Sequence, residues 1–396
     1  MPKRPTVYDV ARAAGVSIAT VSLTFRQPER VRPTTRQAVL DAARALNYVP
    51  SANARGLARG RTGALGLYAF DMFLEAFEAG GARPVSEDPG PYFGPDASSD
   101  VFADDSDAED FRVFPLYVDE VQRGFELECA RRGRALLIGR GPGGDGAGIV
   151  DIASRVDGLA VFPGARSEEI IAQLSRRLPV VAFAMPLGGG ALHHVQVDNR
   201  AGTEALTEHL VTEHGLTSVE FVGAPEMPDY AERFDGMCRA LQRLGLPAPH
   251  AVLDPTALVD DHPFAVIRAL AGAGAGARRL PQALVCASDQ HALALLEVLA
   301  ELGVDVPGRV AVTGFDGVAA GRLCTPPLTT VRQPMEAMGR LAVDILVESL
   351  TAQATGPVDR TLPVRMVIRR SCGCPWPDRT LRVLPSPPVA AAWLCA

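Results

Sequence analysis

Beyond Gly63 the chain alternates, for some 300 residues, between short apolar runs that suit buried strands and longer amphipathic runs that suit helices. Strands are predicted at 65–70, 135–138, 158–162, 180–183, 219–222, 283–286 and 310–313. Helices are predicted between them at 117–132, 167–177, 201–213, 230–244, 264–271, 290–302 and 336–350. Strand–helix alternation of this kind is the signature of a parallel, doubly wound α/β architecture. Its length exceeds one ordinary core and suits two lobes, with a pocket where strand order switches.

Two segments break the pattern. Residues 72–111 are rich in Asp, Gly, Pro and Ser and separate the first strand from its helix by far more than an ordinary loop. The tail after Cys374 carries prolines at 375, 377, 385, 387 and 388 and is expected to be mostly unstructured. Hydrophobic residues at 47% and charged residues at 21% are globular values and argue against wholesale disorder. No apolar run approaches the roughly 18–20 residues of a membrane span, and Met1-Pro2-Lys3-Arg4 lacks the apolar stretch of a secretory signal. With no export signal, seven cysteines point to reduced thiols and a cytoplasmic protein. No membrane association is expected.

The first fifty residues have a different texture. Thr6 can cap a first helix with Asp9 three residues on, and Val7, Val10, Ala11 and Ala14 give it an apolar face. Gly15 supplies a turn, and Ser17 can cap a second helix from Ile18 to about Phe25, with Val21 and Phe25 inward. Pro33 opens a third helix on which Thr35, Val39, Ala42 and Leu46 share a stripe. Helix, tight turn, helix is the helix-turn-helix arrangement, in which the second helix enters the major groove N-terminus first. Ile18, Ala19 and Ser22 would then reach base edges, while capping hydroxyls and free amides meet phosphates. Spacing alone also fits a small three-helix bundle with no ligand.

Charge distribution bears on that choice. The net charge of −7 conceals a balance of +8 over residues 1–62 and of −11 over residues 71–110. A basic head on an acidic chain suits a polyanionic partner, although charged stretches are often plain solvated surface. The −11 segment is a candidate competitor with DNA for the head.

The wording of the sequence is more specific. Thr6-Val7-Tyr8-Asp9-Val10-Ala11, Ala14-Gly15-Val16-Ser17, Thr20-Val21-Ser22, Thr35-Arg36, Leu46-Asn47-Tyr48-Val49-Pro50 and Ala54-Arg55-Gly56-Leu57-Ala58 closely resemble the lactose-repressor family of bacterial transcription regulators. Val197-Asp198-Asn199-Arg200-Ala201-Gly202, Ala287-Ser288-Asp289-Gln290, Val312-Thr313-Gly314-Phe315-Asp316 and Pro326-Pro327-Leu328-Thr329-Thr330-Val331-Arg332-Gln333-Pro334 resemble that family's effector domain. The resemblance covers the chain apart from 72–111 and the tail.

The resemblance implies a sequence-specific DNA-binding regulator, in the first instance a repressor. It would act as a homodimer on double-stranded operator DNA and be controlled by a small molecule held between two lobes like those of periplasmic binding proteins. Tyr8, Ser17, Thr20, Ser22, Thr35 and Tyr48 occupy positions that in the family touch phosphates or bases, and Thr6 and Ala54 complete the DNA-facing set. Ile18 and Ala19 stand where specificity is set, and their apolar character suits thymine methyls. Leu23 and Arg26 depart from the family's usual Arg and Asn, so the preferred operator differs. Arg30 and Arg32 add phosphate-binding charge. Residues 51–59 match the family's hinge helix, too short and too glycine-marked to be helical alone, with Leu57 as the wedge into a central minor-groove step. A plain linker is the alternative.

In the effector domain, Arg233 matches the arginine that many family members direct at the effector, Asp316 ends a strand where the family places a carboxylate for ligand hydroxyls, and Asp289 occupies a similar strand-end position. An Arg fork beside carboxylates suits a polyhydroxylated molecule such as a sugar. Salt-bridge or capping roles for these three residues are the alternative, and Ser288 replaces a commoner Asn. The implied organisation is a DNA-binding domain at 1–50, a hinge at 51–62, an effector-binding and dimerisation domain at 63–374, and a tail at 375–396. Within the effector domain, one lobe spans about 63–215 and 332–358, and the other about 216–331 and 359–374.

Other chemistry is weaker. Gly139-Arg140-Gly141-Pro142-Gly143-Gly144 spells a dinucleotide fingerprint, but Pro142 and the glycines beyond it prevent a helix from opening in the right place. His209 and His214 are one residue too far apart for a zinc-protease pattern and are expected on the surface. Cys372-Gly373-Cys374 has the form of half a metal site, but no second Cys/His pair at zinc-finger spacing accompanies it. Neither cofactor, metal nor enzymatic activity is expected. A solute-binding protein for transport and a nucleotide-dependent enzyme are the competing readings.

Overall fold

In the computed structural model the chain divides after Gly63 into two units. The residues described are 5–48, 61–70, 116–141, 146–162, 164, 167–184, 191–224, 227–249, 252–253, 264–272, 280–351, 356–375 and 382–383. The hinge segment 51–59 and the acidic segment 72–111 lie outside them.

The first unit is a three-helix bundle. α1 (Val7–Ala14) begins where the Thr6 amide and hydroxyl both donate to Asp9 Oδ2, at 2.8 and 2.7 Å. It stops at Gly15, whose φ of 65° is the left-handed conformation that glycine adopts without a Cβ penalty. α2 (Ile18–Arg26) is capped by Ser17, whose Oγ accepts the Thr20 N–H at 3.1 Å. α3 (Pro33–Ala45) opens with proline at its first position. Val10, Val21 and Val39 are fully buried where the three helices meet, with Ala11 and Ala43 beside them. On α3 the innermost alanine is Ala43, not Ala42, and Thr35 is half-buried at the margin.

The second unit contains two six-stranded sheets. In the first, β1 (Ala64–Phe70), β2 (Ala135–Gly141), β3 (Gly158–Phe162), β4 (Val180–Phe183), β5 (His193–Val197) and β10 (Asp359–Leu362) run parallel in the order β10-β5-β4-β3-β1-β2. Helices α4 (Leu116–Arg131), α5 (Ala147–Ala153), α6 (Glu168–Ser175) and α12 (Met335–Leu350) pack on it. In the second, β6 (Val219–Val222), β7 (Ala283–Cys286), β8 (Ala311–Asp316) and β9 (Thr329–Arg332) are parallel, and β11 (Arg365–Val367) and β12 (Arg382–Val383) extend the β9 edge antiparallel. α7 (Asn199–Thr212), α8 (Pro228–Arg243), α9 (Ala265–Ala271), α10 (Asp289–Glu301) and the short α11 (Ala320–Leu323) belong to this half.

The expected lobe boundaries shift in two places. α7 packs on α8, β9 and β11, so the first crossing falls at Asp198, not near 215. Gly202 explains the contact: a Cβ there would stand 2.9 Å from Phe315, Val331 and Val364, all on the second sheet's side. Residues 359–362 pair with β5 and so return to the first sheet before the chain crosses again. Crossings therefore lie after β5, between β9 and α12, and between β10 and β11. In the tail, residues 382–383 form a sheet edge instead of being wholly irregular.

The apparent dinucleotide fingerprint is a packing feature. Gly139 and Gly141 lie within β2, where a Cβ on Gly139 would press on Tyr68 and Ile152, and the next helix begins only at Ala147.

Helices α4 and α12 approach until backbone meets backbone. A Cβ on Gly124 would overlap the Glu336 carbonyl, and one on Gly339 would overlap the Val121 carbonyl. Gly339→Ala is therefore expected to destabilise the second unit by about 1–3 kcal/mol, the cost of overpacking a site with no room to relax. A lowered urea midpoint at unchanged slope is the readout.

Candidate functional site

The head presents a coherent exposed surface around the start of α2. Ser17 and Ala19 are exposed, Ile18 is 40% exposed, and Thr20, Ser22 and Leu23 are half-buried. Tyr8 on α1 is 63% exposed, unusual for so large a ring. The Ser17 hydroxyl accepts the Thr20 amide and shares a 2.9 Å hydrogen bond with Thr20 Oγ1. Arg30 and Arg32 are exposed, Arg30 donating to Gln27 Oε1 at 2.9 Å. Tyr48 is half-buried, its ring 6.2 Å from that of Phe25, and Thr6 and Thr35 are half-buried at helix starts. Arg26 is the last residue of α2. Ala54 and Leu57 lie outside the described residues. A helix N-terminus with exposed hydroxyls and one aliphatic side chain, bordered by arginines, is suited to the edge of a nucleic-acid groove.

In the second unit the chemistry gathers at the carboxyl ends of the parallel strands, where open α/β sheets place their ligands. Arg233 on α8 is only 2% exposed. Its Nε donates to Asn199 Oδ1 at 2.9 Å, and Nη1 donates to the Ala287 carbonyl at 2.6 Å and lies 3.6 Å from Asp316 Oδ1. Nη2 reaches Asp229 Oδ2 at 3.5 Å. The guanidinium sits 3.8 Å over the Phe315 ring, a cation–π contact.

Asp316 ends β8 with a φ of 125°, a conformation that side-chain-bearing residues seldom adopt and that marks stored backbone strain. Gln333 holds it there: its amide donates to the Asp316 carbonyl at 2.9 Å, and its Nε2 to Asp316 Oδ1 at 2.7 Å. Burial pushes the Asp316 carboxyl above the usual carboxylate range, against the downward pull of Arg233, and Asp289 nearby adds to the rise.

The residues around this pair were not singled out by the sequence. Tyr117 on α4 packs edge-on against Phe162 at 5.8 Å, and Phe162 stacks on Phe183 at 4.6 Å. Burial raises the Tyr117 hydroxyl well above its ordinary value, and the charges of Asp229 and Asp316 raise it further. Burial likewise pushes Tyr230 up to about 12, with Asp316 contributing. Both phenols therefore stay protonated donors at any physiological pH. Asn199 and Gln333 stand in motifs already noted but carried no assigned role. Tyr117 follows the acidic segment without any local signal.

Asp289 behaves differently from its two companions. It is fully buried at the start of α10, where Oδ2 accepts the Gly317 and Val318 amides at 2.8 Å each and Oδ1 accepts the Thr330 hydroxyl. Its carboxylate fixes the turn that follows Asp316. Ser288 caps α10, accepting the His291 amide at 3.2 Å.

Another gathering was unforeseen. His209, expected on the surface, is 6% exposed, and it meets His214, Cys372 and Cys374 with all four ligand atoms within 4.8 Å of one another. Sequence spacing hid this because the two pairs are about 160 residues apart and join only through the fold.

Residues 6–51 match the family described as bacterial regulatory proteins, lacI family, and residues 207–372 match the periplasmic binding protein-like domain. The chain belongs to the lacI family of bacterial regulatory proteins. This lacI-family chain is 29% identical to the HTH-type transcriptional regulator CelR of Thermobifida fusca, the match covering 93% of this chain and 98% of that one. It is also 29% identical to the HTH-type transcriptional repressor PurR of Haemophilus influenzae strain PittEE, over 89% and 93%. Among solved structures, a CelR–cellobiose complex superposes with a TM-score of 0.57 at 26% identity, covering 93% of this chain and all of that one. A lac repressor dimer bound to operator and an anti-inducer gives 0.69 at 21% identity, over 93% and 99%, a likeness of fold. The lacI-family protein is thus a DNA-binding transcriptional regulator with a helix-turn-helix head and a two-lobed α/β domain. No helix among its described residues is long and apolar enough to cross a membrane.

Removing the Asp289 carboxylate strands two amides and a hydroxyl in the interior, and each buried group left unpaired costs about 1–3 kcal/mol. Asp289→Ala should therefore lower the unfolding free energy by at least about 2 kcal/mol, read by denaturant titration of the second unit.

Proposed function

We propose that this lacI-family protein is a repressor that binds a pseudo-palindromic operator as a homodimer and whose grip is set by a carbohydrate held between its lobes. The observation that carries the effector reading is the buried Arg233–Asp316 pair, whose charges act on the protonated Tyr117 and Tyr230, with Tyr117 packed edge-on against the stacked Phe162 and Phe183 rings. Sugars offer vicinal hydroxyls for the fork and carboxylate and an apolar ring face for the aromatics. Asp316, with Asp229 and Asn199, takes ligand hydroxyls in this reading. Asp289 acts one step removed by shaping the Asp316 turn. The cellobiose bound by CelR, a relative over nearly the whole chain, supports a carbohydrate of that general kind.

In the head, Ser17, Thr20, Ser22, Tyr8, Thr35 and Tyr48, with Arg30 and Arg32, grip backbone and base edges. Ile18 and Ala19 read thymine methyls. Thr6, Leu23, Arg26 and Ala54 complete the contact set, and residues 51–59 fold as a paired hinge with Leu57 at the central step. The protein binds and releases and does not catalyse, and its target places it in the bacterial cytoplasm. A transport solute-binder would have no use for a separately cored, arginine-rimmed head.

Fluorescence anisotropy with promoter fragments tests the DNA half. Counterion release from some 6–10 phosphate contacts predicts a loss of about 10³–10⁵ in affinity between 50 and 200 mM salt. A flat salt dependence overturns it. Leu57→Ala should weaken specific binding more than non-specific binding, and equal loss in both overturns the hinge role. For the effector half, Arg233→Lys keeps the charge but loses the fork. It is expected to raise the sugar concentration needed to change operator affinity by about tenfold or more, equivalent to about 1.4 kcal/mol, with operator affinity in the absence of sugar retained. An unaltered response across a disaccharide panel refutes the assignment.

A further inference from the structure

We infer that His209, His214, Cys372 and Cys374 form a structural zinc site in the second lobe. Two imidazoles and two thiols are a complete donor set for a closed tetrahedral Zn²⁺ site. The geometry fits the ion closely. His209 Nε2 and His214 Nε2 are 3.3 Å apart, Cys374 Sγ lies 3.3 Å from His214 Nε2 and 3.6 Å from His209 Nε2, and Cys372 Sγ lies 3.6 Å from His209 Nε2. A tetrahedral zinc with bonds of about 2.0–2.1 Å to nitrogen and about 2.3 Å to sulfur requires N–N edges of about 3.3 Å and N–S edges of about 3.6 Å. Four of the six edges of that tetrahedron lie at these separations, and all four ligand atoms fall within 4.8 Å of one another.

The surroundings are built for it. His209 sits in the last turn of α7, and His214 lies just beyond the helix end, its ring at 84° to that of His209. The two rings thus approach one point from different directions. Cys372 and Cys374 flank Gly373, whose φ of 107° is open to glycine, and a Cβ there would stand 3.3 Å from His214 Nδ1. The turn carrying the cysteines is itself anchored: the Val312 amide donates to the Ser371 carbonyl at 3.0 Å, and the Thr329 amide to Ser371 Oγ at 2.8 Å. Thr329 also orients a sulfur. Its Oγ1 accepts the Arg369 amide at 2.8 Å and donates to Cys372 Sγ at 3.1 Å, the kind of outer-shell bond that steadies a metal thiolate. Two thiolates neutralise the dication, so a largely buried site carries no net charge.

The site lies at the far end of α7 from Asn199, ten residues or about 15 Å along the helix, and is therefore separate from the effector cleft. With four protein ligands it keeps no open position for chemistry. Its role is to clamp the 370–374 turn to the helix that holds Asn199 against Arg233.

Metal analysis of the full-length protein, expressed without a metal-binding tag and dialysed, tests this. The expected result is about one zinc per chain. Cobalt substitution should give the intense visible and near-ultraviolet absorption of tetrahedral dithiolate Co²⁺, displaced by one equivalent of zinc. Cys374→Ser, at the more exposed cysteine, should reduce the stoichiometry to near zero while the circular dichroism spectrum stays folded. A chelator should lower the melting temperature of the parent protein but not of this variant. Thr329→Val, which keeps all four ligands, should weaken metal affinity about 10–100-fold. Protein that retains no zinc and gives no tetrahedral cobalt spectrum overturns the proposal. So does stoichiometric retention by Cys374→Ser, a Cys372–Cys374 disulfide in freshly purified material, or copper or iron in place of zinc.

Discussion

A guanidinium cannot be taken out of water without compensation, and the second lobe is arranged around one that has been. Leaving Arg233 buried and unpaired would cost several kcal/mol, since the desolvation of a charge outweighs any single contact. Its compensation comes from four places in the sequence: Asn199 at the start of α7, Asp229 one turn back on α8, the Ala287 carbonyl after β7, and Asp316 at the end of β8. Satisfying one cation thus fixes the relative positions of two helices and two strand ends. Asp289 and Gln333 extend the same frame outward by holding the turn after Asp316 and the strained residue itself.

The first lobe is close-packed where its own helices meet. Gly124 and Gly339 let α4 and α12 touch along their backbones, and one hydrophobic cluster runs from Leu65 and Phe183 through to Phe221 and Val285 without a gap between the sheets. Phe162 and Phe183 belong to that cluster, and Tyr117 packs against it. These rings are thus an edge of the core itself.

Much of this was legible in the sequence, and the failures are instructive. Seven strands and seven helices of the second unit follow from periodicity because buried parallel strands and amphipathic helices advertise themselves. β5 did not, because His193, His194 and Gln196 disguise a strand that is buried for the most part. β9 was masked by neighbouring prolines and threonines, and α5 by the glycines before it. The lobe boundary at Asp198 is hidden in the sequence because α7 leaves the sheet of the strand before it, a choice made by its contacts with α8, β9 and β11 and by the close approach at Gly202. Arg233 and Asp316 were readable from motif wording, whereas Tyr117 and the His/Cys cluster depend on contacts between residues far apart in the chain, which no local pattern encodes.

The threefold crossing between the sheets bears on how the halves could be divided. The chain passes from one to the other after β5, before α12 and between β10 and β11. The first sheet is completed by β10 only after β6 to β9 have been laid down in the second, and the second receives β11 only after that return. Neither half is one continuous stretch of chain, so neither can be cut away as a simple terminal fragment with its sheet entire.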